Sequence, residues 1–272
     1  MEISFDLTGK TAVITGAAGV LCSNMAGHLA KKGAKIALLD LFEERAAKIA
    51  EGIRKDGGDA IAVKVDVLDK QSIIKAKDEV LKQFGRIDIL INGAGGNKKD
   101  ATTSDEMSFF DMPADALQWV FNLNFVGTVL TTQVFGELIA RQRSGCVINI
   151  SSMAAILPLT NTIAYSAAKA SISNFTKWMA VHFNQNYSKD IRVNAIAPGF
   201  LLTEQNRYLL TDEKTGEATE RGRSIIGHTP MGRYGSPDEL AGAVIWLASD
   251  AASFVNGIVL PIDGGFSAFS GV

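Results

Sequence analysis

Short apolar runs alternate with longer stretches of helical period along nearly the whole chain, and few architectures accept that pattern. The runs are 10–15 (KTAVIT), 35–40 (KIALLD), 60–65, 87–91, 146–150, 191–196 and 258–262. Each is too short to be a core helix and is rich in Val, Ile and Leu, as buried strands are. Between them, helical patterns cover 20–32, 42–56, 70–84, about 114–143, 165–182 and 237–247; Leu21, Met25 and Leu29 repeat every four residues in the first. Gly33 and the pair Gly57-Gly58 supply the breaks. Strands that alternate with helices predict an α/β fold, a doubly wound parallel sheet with helices on both faces. No linker or repeat interrupts 1–272, so one domain is expected.

Two stretches lack periodicity, about 96–113 and 201–229. They follow the fourth and sixth predicted strands, at the carboxyl edge where open α/β sheets bind ligands. Loops this long in a compact domain are usually functional; disordered surface is the alternative.

Composition excludes several partners. The formal net charge is −2, so neither nucleic acid nor an anionic membrane is expected. No charged-then-apolar leader opens the chain, and no uninterrupted apolar run approaches the ~18 residues of a bilayer span. A cytoplasmic protein is the expectation. Cys22 and Cys146 read as small buried hydrophobes, and His28, His182 and His228 are too scattered in sequence to suggest a metal.

Chemistry concentrates at Tyr165 and Lys169, four residues apart on one predicted helix and therefore on one face. A cation beside a phenol favours phenolate, lowering a pKa that is ordinarily near ~10. A phenol so tuned serves as an acid or base near neutrality. Ser152 lies just past the strand-like run 146–150, where its hydroxyl can hold the oxygen that Tyr165 protonates. A Tyr-x-x-x-Lys pair by itself is also a common surface pair.

The first strand runs into Thr15-Gly16-Ala17-Ala18-Gly19-Val20-Leu21-Cys22. A strand, a glycine turn and a helix N-terminus cradle a pyrophosphate, because free N–H groups and the helix dipole face it. Asp40 closes the second strand, where a carboxylate accepts the hydroxyls of an adenosine ribose and repels a ribose phosphate. No Arg or Lys lies between Thr15 and Met25 to neutralise such a phosphate, which favours NAD over NADP. Alternatively, Asp40 merely caps the following helix.

Together these residues resemble the short-chain dehydrogenase/reductase family: Thr15-Gly16, Asn92-Gly93-Ala94-Gly95, Asn124, Ser152, Tyr165, Lys169 and Pro198-Gly199. The likeness covers essentially the whole chain and implies a Rossmann-type fold. The glycine turn departs from the family's Thr-Gly-x-x-x-Gly-x-Gly, with Val20 and Cys22 at the second and third glycines. Val20 is expected to crowd the pyrophosphate, and Cys22 to push the helix slightly from the sheet. Within the family the chain is similar to the branch of D-mannonate oxidoreductases (fructuronate reductases). Gly95-Gly96-Asn97, Ala101-Thr102-Thr103, Met107-Ser108-Phe109-Phe110-Asp111, Thr203-Glu204-Gln205-Asn206 and the end Ser270-Gly271-Val272 carry that likeness.

By resemblance, Tyr165 exchanges a proton with the substrate oxygen, Ser152 holds that oxygen, and Lys169 bonds the nicotinamide ribose and lowers the pKa of Tyr165. Asn124 positions a water that links Lys169 to solvent. Gly16, Val20 and Leu21 face the pyrophosphate. Asp66-Val67 contact the adenine, although Asp66 can equally cap a helix before Lys70. Asn92, Ala94 and Gly95 lie along the adenosine, and Pro198, Gly199 and Thr203 hold the nicotinamide carboxamide. The implied reaction interconverts a sugar acid and its ketone, D-mannonate and D-fructuronate first, with other polyols, gluconate-type acids or 3-oxoacyl substrates as alternatives. A non-catalytic NAD-binding sensor is the reading from another class, and the intact Asn124, Ser152, Tyr165 and Lys169 set speaks against it.

An anionic substrate needs a partner in a closed cleft. Candidates are Asn97, Lys98 and Lys99 after the fourth strand, Gln205, Asn206 and Arg207 after Thr203, and then Arg223 and His228. Arg207 and Asn97 are preferred because each closely follows a stretch assigned to the cofactor; packing of Arg207 on a subunit surface is the alternative. Family likeness implies a homotetramer, and the uncharged tail 264–272 with Phe266 and Phe269 fits subunit packing.

Overall fold

A computed structural model describes residues 3–203, 207–212 and 215–271. Seven strands form one all-parallel sheet: β1 (Thr11–Thr15), β2 (Lys35–Asp40), β3 (Ala60–Lys64), β4 (Ile89–Asn92), β5 (Gly145–Ile150), β6 (Ile191–Pro198) and β7 (Val259–Ile262). Their order is β3-β2-β1-β4-β5-β6-β7. The chain reverses between β1 and β4, and the crevice above that switch point is the expected ligand site.

The strands are apolar because both faces are covered. On one side, Ala12, Ile14, Ile36 and Leu38 pack under α1 (Val20–Lys31), α2 (Glu43–Lys55) and, beyond them, α9 (Ala241–Ala248). On the other, Val13, Ala37, Leu39 and Leu90 pack under α3 (Lys70–Phe84), α5 (Gly127–Gln142) and α6 (Ile163–Asn186). Neighbouring residues of β1 and β2 thus serve opposite cores, as strand pleating requires.

Helix ends follow the local chemistry. Asp69 caps α3 by accepting from Gln71 N at 2.9 Å, so Asp66 is not that cap. Gly85 closes α3 at φ 76°, a left-handed conformation that suits glycine.

The helix expected over about 114–143 is α4 (Ala114–Phe121) running into α5 through one π turn, Asn122–Val126. The helix Ala114–Gln142 is 29 residues long and, by length and composition alone, apolar enough to cross a membrane; half of its most apolar window is buried in the fold. The core helix of a globular fold passes the same test, so this does not overturn the expectation drawn from uninterrupted apolar runs. Polar residues such as Gln118, Asn122 and Asn124 break the run without breaking the helix.

The stretch 201–229 is less irregular than its sequence. It carries α7 (Arg207–Leu210) and α8 (Glu220–His228), the latter capped by Thr219 accepting from Gly222 N at 3.0 Å. Phe266 and Phe269, expected at a subunit contact, lie against their own chain. Their ring centroids are 4.6 and 5.2 Å from His228, and Phe266 is 5.2 Å from Phe200.

Candidate active site

β1 delivers Thr15 to the sheet edge, and Gly16 turns the chain at φ 64°. A Cβ at Gly16 would lie 2.7 Å from the Ala94 Cα, so only glycine lets these two turns touch. Gly19 is the N-cap of α1 and offers no side chain to its first N–H groups. They remain available to an anion at the helix N-terminus.

Over this turn runs a groove of about 790 Å³, within the range of ordinary ligand sites. Gly16, Val20, Leu21, Asp40, Asp66, Val67, Ala94, Gly95, Gly199 and Thr203 all line it. Asn92 and Pro198 do not. Asn92 is buried, and its amide donates to Asn149 Oδ1 at 2.8 Å and Thr132 Oγ1 at 3.0 Å, tying β4 to β5 and α5. Pro198 ends β6 inside the sheet, paired in register with Ile262.

Asp40 is buried at the end of β2 and accepts from Ala18 N at 2.8 Å and Phe42 N at 2.9 Å. One carboxylate thus braces both the glycine turn and the start of α2, and it retains acceptor capacity for a ribose diol. Asp66 is exposed and bends the chain over the floor by accepting from Leu68 N at 2.9 Å. A glycine cradle, this carboxylate and a groove of this size fit a dinucleotide whose adenosine ribose bears no phosphate.

The two departures from the family turn have different outcomes. Val20 lines the groove, and Cys22 reaches it as well. Cys22 is compensated: a Cβ at Gly93 would overlap the Cys22 Sγ and sit 2.8 Å from the Thr15 carbonyl oxygen. The thiol fills space that a side chain at 93 would need, so it has somewhere to go without the helix moving outward.

Ser152, Tyr165 and Lys169 meet at the carboxyl ends of β5 and α6's first turns. Ser152 follows β5 and accepts from Ala154 N at 3.1 Å, which orients its hydroxyl. The Ser152 hydroxyl lies near enough to the Tyr165 phenol to lower its pKa. Lys169 is buried, 4% exposed, and donates from Nζ to the Ile150 carbonyl at 2.8 Å. Its ammonium stands 5.5 Å from the Tyr165 ring centroid.

Burial pushes the Tyr165 phenol above its ordinary value, and the Ser152 hydroxyl pulls it partly back. Burial pulls Lys169 down from 10.5 to about 8. The expectation that Lys169 lowers the Tyr165 pKa is therefore corrected for the protein alone. Desolvation dominates, and the Lys169 ammonium, which donates to the Ile150 carbonyl, is not among the causes acting on the phenol. The Tyr165 phenol is therefore protonated at neutrality.

Asn124 sits in the π turn and is fully buried. Its amide donates to Gly96 O at 2.7 Å and Val120 O at 2.8 Å, and its Oδ1 accepts from Gly96 N at 3.2 Å. A Cβ at Gly95 would meet the Asn124 Cγ and Lys169 Nζ, both at 3.4 Å. Asn124 thus fixes the turn after β4 beside Lys169. The π turn aims it there, since inserting one residue rotates the helix face.

Around Tyr165 the wall is apolar: Ala101, Ala116, Val120 and Ala164 are buried, with Leu117 against them. Most of the cations proposed for a carboxylate are engaged nearby. Lys98 pairs with Asp100 at 3.4 Å, Lys99 with Glu106 at 3.6 Å, and Arg223 donates to Ala218 O at 2.7 Å. His228 is packed on Phe266. Arg207 is exposed at the start of α7, and among the described residues it makes no ion pair. Gln205 and Asn206 lie outside the described residues.

Asn97 is exposed and outside the groove. The Thr102 hydroxyl donates to Lys98 O at 3.0 Å, so it must accept from Asn97 Nδ2 at 2.9 Å. The Asn97 amide keeps a second N–H donor beside its oxygen acceptor, a combination that suits a hydroxyl.

Sequence reasoning missed Phe42, Arg45, Trp119 and Leu123, which also line the groove. Trp119 and Leu123 are four apart on one helix, and Phe42 and Arg45 flank the start of α2, so helical spacing from Asn124 and Asp40 was the available signal. No group of three His, Cys, Asp or Glu among the described residues is placed to hold a metal.

A family model described as enoyl-(acyl carrier protein) reductase matches residues 16–267. The uncharacterized oxidoreductase UxuB of Bacillus subtilis (strain 168) is 51% identical, across 98% of this chain and 98% of its own length. D-threitol dehydrogenase of Mycolicibacterium smegmatis is 35% identical, across 98% of this chain and 96% of its own. A crystal structure with bound NAD, provisionally described as a D-mannonate oxidoreductase from Haemophilus influenzae, matches with a TM-score of 0.92. It is 48% identical and covers 98% of each chain.

Proposed function

This chain belongs to the short-chain dehydrogenase/reductase family of oxidoreductases, and from that premise we propose that it uses NAD(H) to interconvert a sugar acid and its ketone, D-mannonate and D-fructuronate first. The observation that carries the chemistry is the meeting of Ser152, Tyr165 and Lys169 beside a groove whose far end holds Asp40. Bound nicotinamide supplies or takes the hydride. The residues do the rest. In reduction, the protonated Tyr165 hydroxyl gives its proton to the ketone oxygen, and the Ser152 hydroxyl bonds the same oxygen. Lys169, held between Ile150 O and the groove, binds a ribose hydroxyl and faces the Tyr165 ring. Asn124 fixes the turn beside Lys169 and positions the water through which the proton is replaced. Gly16, Val20, Leu21, Asp66, Val67, Ala94, Gly95, Gly199 and Thr203 bind and orient the dinucleotide.

The sugar acid rests on likeness to the Haemophilus influenzae structure and on Arg207, an exposed candidate cation at the start of α7 with no ion pair among the described residues. Cofactor choice rests on Asp40, which would repel a ribose phosphate. NADH consumption measured with D-fructuronate, other keto acids and uncharged ketoses tests the reading. Selective turnover of D-fructuronate is expected; equal or faster turnover of uncharged sugars would remove the acid from the proposal.

We place the enzyme in the cytoplasm as a homotetramer. An aromatic row from Phe125 in the π turn along α6, through Phe175 and Trp178 to His182, leaves Trp178 and Tyr187 exposed. Pairing of two copies along that row would cover it. Light scattering should return four times the chain mass of 29.0 kDa; a monomer at all concentrations would reject the assembly.

A further inference from the structure

The groove does not end at Asp40. Past this carboxylate, toward β3 and away from β5 and Lys169, lie Leu41, Phe42 and Arg45 from the start of α2. Leu123 and Trp119, from the helix that carries Asn124, line the same groove, and Leu123 lies one turn before Gly127, where a Cβ would meet Val67 at 2.9 Å. Three of these are large apolar side chains left in water: Leu41 is 53% exposed, Phe42 57% and Trp119 43%. Exposed apolar side chains scattered singly need no explanation, but several that line one cleft mark a surface that a ligand covers. The floor there is Val65, Asp66 and Val67.

Building on the dinucleotide reading, we propose that Trp119 is the wall against which the adenine ring packs. With the ribose diol on Asp40 and the pyrophosphate on the Gly16–Val20 turn, the base can only extend into this end. Its flat π-face calls for an aromatic or apolar partner. The indole also carries a cation, with Lys98 Nζ 6.0 Å from its centroid. Lys98 begins the segment that packs Ala101 beside Tyr165, so Trp119 joins the base site to the substrate wall. The other tryptophans lie elsewhere, Trp178 on the α5–α6 face and Trp246 against the α1–α9 core. An emission change caused by a base at this site therefore reports on Trp119.

The test uses AMP and ADP-ribose, which lack nicotinamide and need no turnover. Titration of either into the wild-type protein should alter tryptophan emission. Trp119→Ala should remove that change and weaken both ligands about tenfold, the low end for one base–aromatic stack. Trp119→Phe, which keeps a flat ring, should recover most of the affinity and controls for folding. Wild-type affinity for ADP-ribose in Trp119→Ala, with NADH still bound, overturns the role of Trp119 and leaves the dinucleotide site standing. A wild-type protein that binds neither NADH nor ADP-ribose overturns both.

Discussion

Gly93 and Cys22 should behave as one position divided between two elements. The φ of Gly93 is not in the left-handed region, so its requirement for glycine is spatial. A methyl at 93 overlaps the Cys22 Sγ and approaches the Thr15 carbonyl oxygen to 2.8 Å. Cys22 is held on α1 and Thr15 in the middle of the sheet, so neither yields freely. Gly93→Ala should cost about 2–3 kcal/mol, in the upper range for overpacking. Cys22→Gly should cost about 2 kcal/mol, from a lost buried side chain and a glycine in a helix. The double variant should cost at least about 1 kcal/mol less than the sum, since removing the thiol relieves the larger overlap. Relief should be incomplete, because the Thr15 carbonyl remains. Urea unfolding of the four proteins at one concentration measures the coupling. Costs that add to within about 0.5 kcal/mol would show that the two positions do not share this space.

Tyr165→Phe should lower turnover by at least about 10²-fold while NADH binding persists. In the wild type, burial of the phenol should make oxidation rise and reduction fall with increasing pH; near-normal turnover in the variant would refute the acid's identity. Asp40→Ser should raise the use of NADPH relative to NADH, and adding Arg45→Ala should remove that gain, because Arg45 is the basic side chain lining this groove; a wild type that prefers NADPH would overturn the role of Asp40. Lys169 falls from 10.5 to about 8 on folding, so between those values the unfolded chain binds the extra proton and stability rises with pH, by up to about 3 kcal/mol. Unfolding across that window should show the wild type gaining that much on Lys169→Met, and a flat difference would contradict it. Arg207→Ala should raise KM for the acid about tenfold with NADH affinity kept; an unchanged KM would remove Arg207 from the site.

The sheet was legible because each strand is apolar on both faces and each helix keeps its 3.6 period. Strand β2 and helix α3 fall on the expected residues, and most other boundaries move by one to four. Positions set by tertiary contact were not legible. Asn92 sits beside groove residues in sequence, yet its amide is drawn into the sheet by Asn149, a residue 57 places away. The π turn at Asn122–Val126 lies inside an unbroken helical pattern, so nothing local announces it. Helix α7 is a single turn and α8 is short and rich in polar residues, and they depend on packing of Leu210 and Ile225 rather than on period. The direction of the Tyr165 shift needed the burial of the pair, which spacing alone does not contain.

The glycine turn shows how a departure in sequence can mean less than it suggests. Taken alone, Cys22 in place of a glycine predicts a helix forced away from the sheet and a weaker nucleotide site. Read together with Gly93, it is an exchange of volume across the β1–β4 switch point, where one side chain replaces another. Val20 is different, since no facing glycine is seen to make room for it, although it and Cys22 both line the groove. The anion contacts here come from backbone N–H groups, which a side chain at position 20 does not consume, and Gly19 leaves the first turn of α1 uncapped by any side chain. Any loss of cofactor affinity relative to glycine-rich relatives should therefore trace to Val20. Val20→Gly should tighten NADH if crowding outweighs the apolar contact, and Cys22→Gly should not tighten it at all. Tighter NADH binding by Cys22→Gly would mean that the thiol strains the turn and that Gly93 does not absorb it.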